Sequence, residues 1–167
     1  HRKMRDISHE KAQQRLLDHL TDYLVWSFGL HRTSQMKEAY SRVAEVADKG
    51  MAEILVTCFF VLQGKIKALG SLYLVRQVHD QRYHLPNIYD WMVTVEWFSS
   101  YQILYDQLTE KLADQDRLSK EEAGKVVRRA FGIHLALNLP KWEHRDGKPA
   151  NFVKRFLIFL MFFKAQA

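Results

Sequence analysis

The residues best suited to chemistry are cations that lie near aromatic rings in the last third of the chain. Lys125, Arg128 and Arg129 follow the spacing i, i+3 and i+4, which puts them on one face of a helix. Cations of this kind hold phosphates, and an aromatic ring beside them can stack on a base. The sequence predicts a partner-binding set made of Lys125, Arg128, Arg129, Lys141, Trp142, Arg145, Lys148, Lys154 and Arg155.

The net charge of +6 is distributed unevenly along the chain. Residues 1–116 hold 14 Lys and Arg against 15 Asp and Glu, whereas residues 117–167 hold 11 against 4. A segment with a net charge of +7 predicts an anionic partner, either nucleic acid or an acidic protein surface. The alternative, a basic face that only contacts water, stays open. No named nucleic-acid motif occurs, so binding would be led by the phosphate backbone and weakly sequence-specific.

One short segment resembles the catalytic loop of protein kinases, H-R-D-x-K-P-x-N. It runs from His144 to Phe152 and reads HRDGKPANF. In that family the Asp is the catalytic base and the Asn binds a metal ion. The similarity covers nine residues, and the chain has no D-F-G, no A-P-E, no Gly-rich loop and no V-A-I-K lysine. The sequence therefore predicts a polar turn here, with Gly147 in the turn and Pro149 opening a helix.

A second resemblance lies around His79. The segment from Leu72 to His79, followed by Leu85, Pro86 and a long helix, resembles the proximal-histidine region of sensor globins. The resemblance implies a haem-binding domain with His79 as the proximal ligand and Tyr23 as a candidate distal residue. A histidine that caps the C-terminal end of a helix explains the same residue without haem.

Other catalytic signals are absent from the sequence. The eight histidines show no H-E-x-x-H pattern and no cysteine partner, so no metal site is expected. Cys58 lies within the most apolar segment and is expected to be an inert core residue. We therefore expect a non-enzymatic protein without a cofactor.

Bulk composition predicts one all-α domain spanning residues 1–167. Apolar residues make up 47% and aromatic residues 13%, while Gly (7) and Pro (3) are too scarce for a β-sandwich with many turns. A single cysteine excludes an internal disulfide, which favours a reducing, intracellular setting, cytoplasmic or nuclear. The chain begins HRKMRD, which is typical of a fragment of a longer protein or of a tag remnant.

The expected architecture is six or seven helices around a long central helix at about residues 87–113. Asn87 is its predicted cap, and its predicted core face carries aromatic and aliphatic residues at helical spacing. That face consists of Trp91, Val95, Phe98, Tyr101, Tyr105, Leu108 and Leu112.

Further helices and loops complete this expectation. A first helix runs from the Ser8 cap to Phe28, a second from about residue 33 to 49, and residues 51–62 form a helix buried on all sides. Helical spacing continues through Ile66, Leu69, Tyr73 and Val78, with Gly64 and Gly70 as candidate positions for a bend or break, before a loop at residues 80–86. A capping box formed by Ser119 and Glu122 starts a helix that stops before Pro140. A polar loop at 141–148 and an apolar last helix at 149–163 follow, and neither this helix nor the one at 51–62 is long enough to span a bilayer.

The functional expectation is thus a helical binding or assembly module whose basic last third contacts nucleic acid or an acidic protein. The alternative is a sensor-globin-like haem protein. A visible absorption spectrum of the purified protein separates the two interpretations.

Overall fold

A computed structural model describes residues 4–70, 92 and 94–146, with side chains up to residue 138. Within these ranges the chain forms five α-helices and one short 3₁₀ helix. The helices are α1 (Ala12–Thr21), α2 (Thr33–Ser41), α3 (Lys49–Gln63), α4 (Val95–Asp116) and α5 (Lys120–Asp146), and the 3₁₀ helix spans Trp26–Phe28. The predicted helical fold class is confirmed for this part of the chain, whereas the helix count and the central helix stay predictions.

Four helices share one apolar interior. Helix α1 packs against α3, α4 and α5, while α4 packs against α3 and α5, and α2 lies on α3. The largest fully buried side chains include Trp97, Phe59, Phe131 and Met51. Outside the helices, the backbone groups of Ile7 and Ile66 exchange hydrogen bonds of 2.9 and 2.8 Å, which fixes the segment after α3 beside the N-terminal segment.

The predicted first helix, from Ser8 to Phe28, is wrong in both bounds. Helix α1 begins after Lys11, where no local side chain caps it. Instead the carboxylate of Asp116, at the end of α4, accepts 2.8 Å hydrogen bonds from the backbone N–H groups of Ala12 and Gln13. A tertiary cap of this kind replaces the local one, and nothing near Ser8 in the sequence signals it.

The predicted second helix, from residue 33 to 49, is too long. Helix α2 ends at Ser41, and Gly50 lies inside the first turn of α3 rather than after a helix. The Asp48 side chain accepts a 2.7 Å hydrogen bond from the N–H of Met51 and so caps α3. The prediction took Gly50 as the end of the second helix, because glycine is common just after a helix, and overlooked this cap.

The buried helix predicted at residues 51–62 is confirmed within α3. Every residue from Ile54 to Leu62 is buried, as expected for a segment without a polar face. The helix ends at Gln63, so the predicted helical continuation through Ile66 and Leu69 is wrong. The backbone pairing of Ile66 with Ile7 takes its place. The predicted loop at 80–86 lies outside the described residues.

Helix α4 lies within the segment predicted as the long aromatic helix, but its cap is Thr94 and its buried face matches the prediction only in part. Thr94 caps it by accepting a 3.2 Å hydrogen bond from the N–H of Trp97, and the proposed cap Asn87 lies outside the described residues, as does Trp91. Trp97 is 0% exposed, whereas Phe98 is 41% and Val95 79% exposed, so two of the predicted core residues are wrong. Leu108 and Leu112 of the predicted series are buried, and Tyr101 and Tyr105 pack against the core, so the prediction is wrong only at the start of the helix.

Helix α5 confirms one prediction and overturns another. Ser119 and Glu122 form the predicted capping box. The Glu122 carboxylate accepts a 2.9 Å hydrogen bond from the N–H of Ser119, and the Ser119 hydroxyl accepts a 3.2 Å hydrogen bond from the N–H of Glu122. The helix then continues through Pro140 to Asp146, so the predicted stop and the predicted loop at residues 141–146 are wrong. A proline inside a helix removes one N–H donor and crowds the preceding turn, which disfavours a helix without excluding one. The predicted last helix, 149–163, lies outside the described residues.

Candidate functional site

Helix α5 has an apolar face and a charged face over its first three turns. Ala123, Val127 and Phe131 are buried against the other helices. Lys125 and Arg129 are exposed on the opposite side. The helical spacing of three and four separates the two sets, because residues that far apart share one side of the helix.

Lys125 is part of a surface ion pair. Its ammonium lies 2.7 Å from the carboxylate of Glu121, one turn earlier on the same exposed face. The hydrogen bond from Lys125 lowers the pKa of Glu121 below its ordinary value. Exposed pairs of this kind contribute little to stability, so Lys125 can exchange Glu121 for another anion at small cost.

Arg128 is held by α4 rather than directed to solvent. Its guanidinium lies over the ring of Tyr105, 5.3 Å from the ring centroid, and donates a hydrogen bond to the Tyr105 hydroxyl. Gly124 makes room for this contact, since a Cβ atom there would lie 2.3 Å from the same hydroxyl. Of the three cations predicted on this face, Arg128 therefore connects two helices, while Lys125 and Arg129 remain exposed.

The other predicted binding residues lie further along the chain. Lys141, Trp142 and Arg145 belong to the helical backbone of α5. Lys148, Lys154 and Arg155 lie outside the described residues, as does the candidate haem ligand His79. Position 145 is about 24 Å along the helix axis from position 129, because each residue adds about 1.5 Å. The described members of the predicted set therefore lie along one helix.

A buried polar cluster, which the sequence analysis did not predict, links α1, α3 and the 3₁₀ helix. We call His19, Tyr23, Trp26 and Thr57 the polar cluster. The Trp26 Nε1–H donates to His19 Nδ1 over 3.1 Å, and His19 Nε2 lies 3.2 Å from the Thr57 hydroxyl. Because an indole N–H can only donate, His19 Nδ1 carries no proton, and Nε2–H donates to Thr57.

The polar cluster keeps its imidazole neutral. Burial, together with the neighbouring His134, lowers the pKa of His19 to about 3. Tyr23, the candidate distal haem residue, lies with its ring 5.1 Å from that of His19 and 5.0 Å from that of His134. Its hydroxyl donates to Glu53 over 3.2 Å, and burial raises its pKa well above the ordinary value. In this arrangement Tyr23 is a hydrogen-bonded part of the interior.

Cys58 occupies the same buried helix. It is a free cysteine without solvent exposure, and burial raises the pKa of its thiol. The predicted core position of Cys58 is confirmed. A buried thiol whose pKa is raised is a poor nucleophile.

A cavity of about 740 Å³ lies where the 3₁₀ helix, the start of α2 and the end of α3 meet. Trp26 and Phe60 form apolar walls, and the segment after α3 closes one side. Arg32, Lys65 and Lys67 are the charged side chains of the lining. Sequence reasoning missed this cavity because its residues come from three separate segments, none of which carries a binding motif.

The described part of the chain contains neither a metal-ion cluster nor a membrane-spanning helix. Residues 4–70 and 94–138 contain no cluster of His, Cys, Asp or Glu side chains able to hold a metal ion. Among the helices that the structure describes, none combines the length and the apolar character needed to cross a bilayer.

In comparisons with known proteins, the chain matches no family model, no curated protein and no solved structure.

Proposed function

We propose that the protein is a non-enzymatic binding module that contacts a polyanion, nucleic acid in the first instance, through the exposed basic side of α5. The observation that carries the proposal is the exposure of Lys125 and Arg129 on the side of α5 away from the core. They belong to the segment that holds 11 Lys and Arg against 4 Asp and Glu. A fixed helix with exposed cations attracts an anionic partner at long range.

The spacing of the cations favours an extended partner. Positions 129, 141 and 145 span about 24 Å along one helix and wind around its axis. A nucleic-acid backbone presents phosphates over such a length, whereas a single anionic group would engage one end only. Each phosphate neutralised by Lys or Arg releases counterions, which drives binding at low salt.

The interior supports a binding role over a catalytic one. His19 is buried, with a pKa of about 3, so it is not a proton donor or acceptor matched to neutral pH. Cys58 is enclosed in α3. The haem interpretation gains no support from Tyr23, whose hydroxyl already bonds to Glu53.

The test is a fluorescence anisotropy titration of a labelled 20-nucleotide single strand at several salt concentrations. The test variant reverses Lys125→Glu and Arg129→Glu together. Its matched control carries Lys11→Glu and Lys37→Glu, which change the net charge by the same amount. Both cations are exposed; Lys11 lies just before α1 and Lys37 lies on α2. The test variant should bind more weakly for every base sequence, and its salt slope should be shallower by about 1.4, because two phosphate contacts are lost.

Two outcomes would contradict the proposal. If both reversed variants weaken binding equally, only net charge matters and α5 is not the contact. If the wild-type protein binds polyglutamate as tightly as the oligonucleotide, the partner is an acidic protein surface instead. Circular dichroism and urea unfolding of each variant establish that the fold is retained.

A further inference from the structure

The cavity beside the 3₁₀ helix has the size of a small-molecule site. Its volume of about 740 Å³ falls within the range of roughly 300–1,000 Å³ that is usual for ligand pockets. One wall is formed by the rings of Trp26 and Phe60, both buried. Leu30, which is 88% exposed, and Leu69 extend this apolar surface to the rim. The interior of the cavity therefore suits the apolar part of a ligand.

The charged side chains among the described lining residues all have the same sign. Arg32, Lys65 and Lys67 contribute side chains, and no carboxylate is among the described residues that line the cavity. Lys65 and Lys67 form surface ion pairs with Glu10 and Asp6. Arg32 is exposed and makes no ion pair within the described part of the chain. One guanidinium at the rim is therefore available for an anionic head group.

Two further polar side chains of the lining, His31 and Gln63, are held in place. The His31 ring is stacked on Phe60, with centroids 3.9 Å apart, and its Nε2 bonds to the backbone oxygen of Trp26 over 2.8 Å. Gln63 donates to Glu38 over 3.1 Å, while its side-chain oxygen is buried with no hydrogen-bond partner in the described residues. Rigid walls lower the cost of binding, because little side-chain freedom is lost when a ligand enters.

We propose that this cavity binds a small amphiphilic anion, with a carboxylate head at Arg32 and an apolar body between Trp26 and Phe60. Burial of the apolar body supplies most of the affinity, at about 25 cal/mol per Å² of surface removed from water. Arg32 selects the anion over a neutral molecule of the same shape. This site is separate from the basic side of α5 and does not depend on the function proposed for it.

Dodecanoate is a suitable probe because it joins a carboxylate to an apolar chain. Isothermal titration should give one site with a dissociation constant of roughly 10–100 µM. Dodecanol, which has the same chain without charge, should bind three- to tenfold more weakly. The full-length protein is used throughout.

Three variants test the two halves of the site, the charged rim and the apolar interior. Arg32→Gln should weaken dodecanoate binding roughly three- to tenfold and leave dodecanol unchanged. Gly64→Leu should weaken both at least tenfold by filling the cavity. Gly64 has an extended backbone and nothing within 4 Å of an added Cβ, so the substitution fits the fold. Leu30→Ser, at an exposed rim position, is a second variant that should weaken both ligands.

Arg129→Gln on α5 is the matched control for Arg32→Gln and should leave both affinities at the wild-type value. The proposal is overturned if wild-type protein does not bind dodecanoate. It is equally overturned if Arg32→Gln and Arg129→Gln behave alike, or if binding survives both Gly64→Leu and Leu30→Ser. Loss of oligonucleotide binding in the α5 variants has no bearing on this result, so the two proposals fail independently.

Discussion

Two parts of the buried interior are held together by different forces. Trp97, Tyr101 and Phe131, which we call the aromatic cluster, pack ring to ring between α4 and α5, with centroids 5.0 to 6.3 Å apart. The polar cluster around His19 is joined by hydrogen bonds of 3.1 and 3.2 Å. Apolar packing is non-directional and insensitive to pH, whereas the polar cluster depends on one arrangement of protons.

The difference has a consequence for stability. Each member of the aromatic cluster contributes through the surface that it buries, so its contribution follows its size. Each member of the polar cluster matters mainly because its removal leaves a partner without a hydrogen bond in the interior. Substitutions should therefore cost most where a large ring is lost, and pH should affect only the polar cluster.

The largest effect is expected from Trp97→Ala. Trp97 is 0% exposed, and its loss leaves a cavity between α4 and α5, so the free energy of unfolding should fall by about 3–5 kcal/mol. The neighbouring Phe98→Ala is the matched control, because Phe98 is 41% exposed on the same helix, and it should cost less than about 1 kcal/mol. Urea unfolding monitored by circular dichroism measures both. Equal costs would show that the aromatic cluster is not the core of this region.

A somewhat smaller effect is expected from Arg15→Met, which tests whether hydrogen bonds in the interior rival apolar burial. The buried guanidinium of Arg15 donates to the backbone oxygens of Val61 and Leu62 over 2.7 and 2.9 Å, at the end of α3. Methionine keeps the stem but leaves those carbonyls without donors, which should cost about 3 kcal/mol.

Arg5→Met is the control for that measurement. Arg5 pairs with Asp18 and Asp22 at distances of 2.8 and 3.0 Å, but at a partly exposed site, so the loss should stay below about 1 kcal/mol. If Arg5→Met costs as much as Arg15→Met, burial is not what makes the Arg15 hydrogen bonds important.

Local patterns in the sequence predicted the parts of the fold that depend on local forces. The capping box at Ser119 and the fully apolar helix within α3 were found because a few neighbouring residues determine each of them. The start of α1 was missed because its capping carboxylate, Asp116, is more than a hundred residues away in the sequence. Phe98 was misplaced because α4 carries aromatic residues on two sides, and only packing decides which side is buried.

The same limit applies to the candidate sites. The exposed cations Lys125 and Arg129 were found from their helical spacing, whereas the attachment of Arg128 to Tyr105 needs the contact between two helices. The polar cluster combines residues from three segments that share no motif. Its clearest sequence signal was a histidine, His19, among apolar residues of an amphipathic helix, and such a residue does not reveal its partners.

Lowering the pH should weaken the fold through His19. The folded protein holds the pKa of His19 at about 3, below the ordinary value of about 6.5 that applies to the unfolded chain. The unfolded state therefore binds a proton first as the pH falls. The stability that His19 contributes is fully present above about pH 6.5 and is lost progressively down to about pH 3.

Between pH 7 and pH 5 the expected loss from this one group is about 2 kcal/mol. Neighbouring charged and titratable groups, His134, Asp22 and Arg5, share the environment of the ring, so the matched comparison is His19→Gln. This variant should be less stable at pH 7 but lose less stability at pH 5 than the wild-type protein. If the free energy of unfolding depends on pH in the same way in both proteins, His19 is not the cause of the loss of stability.

The smallest effect is expected at Thr57, and it tests the hydrogen bond itself. Thr57→Val keeps the shape of the side chain but removes the oxygen that accepts from His19 Nε2–H, 3.2 Å away. An unsatisfied buried donor should cost about 1–2 kcal/mol. Thr57→Ser keeps the hydroxyl and serves as the control for the polar contact. In a His19→Phe background the donor is gone, so Thr57→Val should cost nearly nothing there, and the double-mutant cycle isolates the coupling. An equal cost in both backgrounds would mean that the hydroxyl acts through its other partners, the backbone oxygen of Ile54, 2.9 Å away, or the Tyr23 hydroxyl, 3.5 Å away, rather than through His19.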